Sequence, residues 1–158
     1  MSSSASVDII SDQAFADELA IRALVDRYSD AVNRRDFDTY RACWATDGVW
    51  NLGEPNNVRK EGVDNIVEEV KRTLGSFDFF AQMPHAGVVE VDGNRATATW
   101  TLNEIGRAAD GKSGMFILAI YSDELVRQNG KWLFAKRTYR VLYLDDSAPK
   151  GRAFPIHM

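Results

Sequence analysis

From Gly87 to Leu144 the chain alternates apolar with polar residues, and its runs are separated by turn-forming pairs. Such a pattern permits little besides an antiparallel sheet. Gly87-Val-Val-Glu-Val91 leads into Asp92-Gly93, after which Ala96, Ala98, Trp100 and Leu102 alternate with Arg95, Thr97, Thr99 and Thr101. Asp-Gly between two such runs signals a hairpin, because these residues tolerate the positive φ of primed turns. Ala109-Asp-Gly-Lys112 and Asn129-Gly130 supply two more turns, bounding strands from Met115 to Arg127 and from Trp132 to Leu144. Four strands in a meander close the chain.

The first half carries the other period. Between Phe15 and Val32, the residues Ile21, Leu24, Val25, Tyr28, Ala31 and Val32 recur at three- and four-residue spacing, which predicts an amphipathic helix. Asp36 reads as the N-cap of a second short helix carrying Phe37, Tyr40 and Trp44 and ended by Gly48. Val49 to Gly53 follows as a short strand, Glu54 to Asn57 as a polar loop. A third helix buries Val63, Ile66, Val67, Val70 and Leu74 and stops at Gly75. Helices first and hairpins afterwards make an α+β domain, with a curved, mainly antiparallel sheet wrapping the helices over one core. A length of 158 residues suits one domain. Residues 1–11 read as a flexible polar arm, 12–144 as the domain and 145–158 as a tail. That tail caps the site, reaches a neighbouring subunit or stays loose.

Composition excludes several classes. Nineteen Lys plus Arg against twenty-three Asp plus Glu leave a net charge of −4, so no basic surplus attracts nucleic acid. Cys43 is the single cysteine and can close no intrachain disulfide, which fits a reducing cytoplasm. No apolar run reaches the roughly 18 residues of a membrane span, and the opening residues lack a basic and an apolar leader segment. The expectation is a cytoplasmic protein, neither exported nor inserted.

No Gly-rich phosphate loop, His-Glu-x-x-His or Gly-x-Ser-x-Gly occurs, and the histidines are His85 and His157. Imidazole exchanges a proton near neutrality without a large pKa shift, which singles out His85, at the entry to the sheet beside Phe77-Asp-Phe-Phe80. Its plainer role is a backbone hydrogen bond at a strand start. Sheet parity puts Glu104 on one face with Ala96, Ala98, Trp100 and Leu102. There it is either a buried carboxyl with a raised pKa or a group that has reached a solvated hairpin around Gly106. Tyr28 lies on the inner helix face, Asp30 on the outer one. Trp44, Trp100 and Trp132 suit a core as well as a ligand platform.

Arg27-Tyr-Ser-Asp-Ala-Val-Asn-Arg-Arg-Asp-Phe-Asp38, Trp44-Ala-Thr-Asp-Gly-Val-Trp50, Tyr121-Ser-Asp-Glu-Leu-Val-Arg127 and Gly130-Lys-Trp132 together resemble the SnoaL-like branch of the nuclear-transport-factor-2-like superfamily. The resemblance implies a cone-shaped domain around a deep apolar pocket, working without metal or cofactor. Its site pattern is most similar to the scytalone dehydratase and hexachlorocyclohexane dehydrochlorinase group. Carried over residue by residue, it puts the catalytic histidine on His85 in a similar His85-Ala-Gly87 context. The supporting arginine falls on Arg137, the pocket tryptophan on Trp50, and the histidine's aspartate partner on Asn33, a departure that leaves the imidazole without a compensating charge. Tyr28 is similar to the oxyanion-binding tyrosine of ketosteroid isomerase, whereas that enzyme's aspartate falls near Leu52, which shuttles no proton. The implied function is a cofactor-independent lyase on a small apolar, aromatic or alicyclic substrate. His85 is its base, Asn33 orients the ring, and Tyr28 and Arg137 stabilise charge. Trp50, Phe77, Phe80, Trp100 and Glu104 line the pocket. Alternatives are a polyketide-cyclase or isomerase type of enzyme, or a non-catalytic ligand-binding or oxygenase-subunit-like module. Relatives also imply a homo-oligomer, dimer or trimer, through the outer sheet face.

Overall fold

The computed structural model describes residues 11–154; the expected arm and His157 therefore lie, but for Ser11, outside the described residues. Helix α1, Asp12–Arg34, starts where the Ser11 hydroxyl accepts from the Ala14 amide at 3.2 Å. It ends where Arg35 turns left-handed (φ 58°) and the amides of Arg35 and Asp36 return to the carbonyls of Val32 and Ala31. Its apolar face, Ile21, Leu24, Val25, Tyr28, Ala31 and Val32, is buried as the periodicity predicts. Helix α2, Phe37–Ala42, is capped by the Asp36 carboxylate, which accepts from the Thr39 amide at 3.0 Å.

Helix α2 stops before Trp44, not at Gly48. Trp44 opens strand β1, Trp44–Leu52, and pairs in parallel with Phe134, because its ring packs on Tyr28, Tyr40 and Phe134 in the core. Strand β2, Val58–Glu61, pairs antiparallel with β1; four residues are too few for sheet periodicity to register in the sequence. Helix α3, Val63–Gly75, matches its expected span. The meander consists of β3 (Phe77–Asp92), β4 (Arg95–Ala108), β5 (Ser113–Gln128) and β6 (Lys131–Ser147), with Asn129 and Gly130 both at positive φ in the last turn. The six-stranded sheet runs β2-β1-β6-β5-β4-β3 and is antiparallel except between β1 and β6. It is the expected α+β cone, helices packed inside a curved sheet.

Strand β3 begins ten residues before Gly87 and carries a bulge. Pro84 faces Leu102 and Gly87 faces Trp100, so β3 spends three steps where β4 spends two. Gly87 is required there, since a Cβ would stand 2.1 Å from Trp100 Cε3. As an edge strand, β3 offers unpaired backbone groups, and α1 takes one pair of them. Asn33 Nδ2 donates to the Gln82 carbonyl at 2.9 Å, and the Gln82 amide donates back to Asn33 Oδ1 at 2.7 Å.

Beneath this helix, Arg137 and Asp123 face each other across β5 and β6 and are almost sealed from water, at 1% and 3% exposure. Arg137 donates from Nε and Nη2 to the two carboxylate oxygens at 2.8 and 2.9 Å. Its guanidinium carbon lies 4.3, 3.9 and 4.0 Å from the ring centroids of Tyr28, Tyr121 and Phe134. Burial disfavours the cation, but the Asp123 carboxylate and the rings reverse this and raise the Arg137 pKa.

Removing one partner strands the other charge in the core, so Asp123→Ala is expected to lose about 3–5 kcal/mol of unfolding free energy in a urea titration. Asn33→Ala, which frees two backbone groups of an edge strand, is expected to lose about 1–3 kcal/mol in the same measurement. Asn33→Asp puts an oxygen against the Gln82 carbonyl. Its protonated form can still donate there, so this variant should be less stable above its carboxyl's titration range than below it.

Candidate functional site

The sheet's inner face and helices α1 and α3 enclose a cavity of about 370 Å³. Its walls are apolar and aromatic: Val32 and Tyr28 from α1, Trp50 and Leu52 from β1, Val70 and Leu74 from α3, Phe77 and Phe80 from β3. The exposed lining residues Asn56, Arg72 and Ser76 mark its mouth.

Polar groups meet on one wall. Glu104 is 6% exposed, with Gln82 Nε2 donating to its Oε1 and the Tyr139 hydroxyl to its Oε2, both at 2.6 Å. Gln82 is oriented in turn by the Ser29 hydroxyl, which donates to its Oε1 at 3.2 Å. Burial raises the Glu104 pKa, and the two neutral donors only partly oppose this. Tyr28 and Tyr121 line the same space with their rings against Arg137, and Tyr28 shares a 3.3 Å hydroxyl contact with Tyr40. Burial raises the pKa of Tyr28 and Tyr121, so both hydroxyls remain proton donors near neutrality. The Trp50 indole N–H is buried without a hydrogen-bond partner among the described residues. An unpaired donor in a cavity wall suits a ligand acceptor.

Five of the nine expected site residues line this cavity: Tyr28, Trp50, Phe77, Phe80 and Glu104. Glu104 is buried and not on a solvated hairpin, because β4 continues to Ala108 before it turns. The other four stand elsewhere. His85 is exposed, its Nε2 in a short contact with Asn103 Oδ1 on the outer face of the sheet. The reason is pleat parity: with β3 starting at Phe77, the inward residues are Phe80, Gln82 and Pro84, then, past the bulge, Gly87. Gln82 occupies the inward position facing Glu104. Arg137 points inward but is sealed below the cavity by the rings of Tyr28 and Tyr121. Asn33 is spent on the β3 backbone, and Trp100 lies in the core over Gly87, with Arg22 5.5 Å from its ring centroid. His85, Arg137 and Asn33 thus do not converge on one cavity. Glu104, Gln82, Tyr139, Tyr28 and Tyr121 do.

Gln82, Tyr121 and Tyr139 were missed by sequence reasoning. Tyr121 follows from parity once Ile117 and Ala119 are known to face inward. Tyr139 is hidden by a bulge, since Leu125 faces Phe134 and Glu124 faces Lys136, which resets inward positions from Trp132 and Phe134 to Arg137 and Tyr139. Among the described residues, no group of three or more His, Cys, Asp or Glu is placed to hold a metal ion. No helix among them is long and apolar enough to cross a membrane.

Comparison with known proteins fits this architecture. Gamma-hexachlorocyclohexane dehydrochlorinase of Sphingobium indicum is 27% identical over 140 residues, which is 84% of this chain and 87% of the relative. The type 3 hexachlorocyclohexane dehydrochlorinase of Novosphingobium barchaimii superposes with a TM-score of 0.80 at 21% identity, covering 92% of this chain and 100% of the other. A scytalone dehydratase candidate of Novosphingobium aromaticivorans gives 0.79 at 19% identity, covering 90% and 99%. At these identities the superpositions speak for the fold alone. The SnoaL-like domain model matches residues 13–138, from the first turn of α1 to the middle of β6, and the chain belongs to that family.

Proposed function

We propose that this chain is an elimination-type lyase acting on a small apolar ring, aromatic or alicyclic, held in the cavity, and that Glu104 handles the proton. The observation that carries this reading is a carboxyl buried in the cavity wall and held by neutral donors alone. Without a cation beside it, its burial energy is not cancelled, and the ionised form is a stronger base than an ordinary carboxylate. In the proposed step, the Glu104 carboxylate takes a proton from a saturated carbon, of an alicyclic ring or of a saturated portion fused or attached to an aromatic one, and the C–H electron pair becomes the new double bond. The neighbouring carbon releases its leaving group with the bonding pair. A halide departs as the anion. A hydroxyl departs as water after taking a proton from Tyr28, Tyr121 or the newly protonated Glu104. The phenols are placed to stabilise the departing charge, since preorganised donors are worth more in a dry site than in water. Sequence likeness to the dehydrochlorinase of Sphingobium indicum supports the reaction class.

In the alternative with His85 as base, the substrate reacts on the outer sheet face. There Met83, Phe116, Leu118 and Tyr143 are exposed. Self-association through that face, with no metal or cofactor required, belongs to the same proposal as the lyase.

Glu104→Gln and His85→Ala separate the two bases. With gamma-hexachlorocyclohexane as the trial substrate and halide release as the readout, Glu104→Gln is expected to lose at least about a hundredfold in kcat/KM. His85→Ala should retain most activity, and the reverse pattern returns the role to the histidine. Abstraction needs the ionised carboxyl, so kcat/KM should rise with pH along a limb displaced above the usual glutamate range. A limb centred at an ordinary glutamate pKa would remove Glu104 from this role.

A further inference from the structure

We propose that the mouth of the cavity is a carboxylate-recognition site built on Arg72, so that the molecule held inside is an aromatic or alicyclic acid rather than a neutral ring. The inference rests on the reading of the cavity as a pocket for a small apolar ring, and adds its polar end. Among the described residues, Arg72 is the one cation lining the cavity, the other charged lining residues being Glu69 and Glu104. Glu69 lies one turn before it on α3, with a side chain 5% exposed, and takes one edge of the guanidinium through Nε at 3.2 Å and through Nη2 in a shorter contact. Lys60 of β2 stands 3.4 Å from the same carboxylate. Both cations contact this one carboxylate, on a rim that also carries Arg59, Glu61 and Glu68.

Guanidinium has two edges that match a carboxylate, the Nε–Nη2 side and the Nη1–Nη2 end. Glu69 occupies the side. The end remains without an acceptor among the described residues, at the rim of an apolar cavity. A second carboxylate docking there would meet a guanidinium already oriented, so little side-chain freedom is lost on binding. Glu104 sets the direction of entry. An anionic group placed deep in the cavity would meet Glu104, which has neutral donors only, whereas the same group at the mouth meets Arg72. The acid end therefore faces outward and the ring lies against the aromatic walls.

The test is isothermal titration calorimetry of the full chain at pH 7 with 2-naphthoate and with 2-naphthamide, which share shape and differ in charge. The wild-type protein is expected to bind the acid about tenfold more tightly than the amide, a margin that shrinks in high salt. Arg72→Gln should bring the acid down to the affinity of the amide and leave the amide unchanged, which also shows that the variant is folded. Equal binding of acid and amide by the wild type, or a preference that survives in Arg72→Gln, overturns the mouth site while the apolar pocket stands. Failure of both compounds to bind overturns the pocket and its mouth together.

Discussion

The pleat of the sheet decides which side chains of this domain meet in its cavity. Residues along a strand face the cavity or the solvent in strict alternation, and one extra residue exchanges the two faces. In β3 the extra residue falls between Pro84 and Gly87, in β6 beside Phe134. These two bulges put Gln82 inside and His85 outside, and bring both Arg137 and Tyr139 to the inner face. Curvature follows from the same features, because bulges bend and twist the strands that carry them. The sheet thus wraps α1 and leaves room between them.

Two buried carboxyls show how partners set a role. Asp123 faces a guanidinium that binds both its oxygens, and the pair is packed under three aromatic rings, a structural arrangement with no path to a ligand. Glu104 lies on the cavity wall, and its donors are an amide and a phenol. The two sites are linked through Tyr28 and Tyr121, whose rings cover the guanidinium and whose edges line the cavity. Arg137 therefore acts on the cavity only through the phenols that cover it. Cys43, by contrast, is buried and its thiol pKa is pushed up to about 11, which leaves it inert as a nucleophile near neutrality.

Much of the fold was legible, for reasons that can be traced to single residues. The Asp36 cap and the left-handed Asn129-Gly130 turn act within a few residues and express themselves wherever the chain is. The alternation from Ala96 to Leu102 grouped these residues with Glu104 on one face, and the burial pattern of β4 makes that face the inner one. Legibility failed where a distant partner chose. Trp44 has helical spacing to Phe37 and Tyr40, yet Phe134 of the last strand draws it into the sheet. Asn33 was expected from the resemblance to orient the imidazole, but its amide completes the hydrogen bonds of an edge strand 49 residues away.

The sequence alone determined most element types, the hairpin turns, the helical faces and the α+β class, since these depend on local periodicity and backbone preference; the cone shape followed from the family resemblance. Only the tertiary structure decided which polar residues share a cavity. That outcome depends on strand register, and register is settled by pairing across the sheet and by the position of each bulge. A one-residue difference invisible to local pattern moved an imidazole to the surface and left a carboxyl, an amide and three phenols facing one another within.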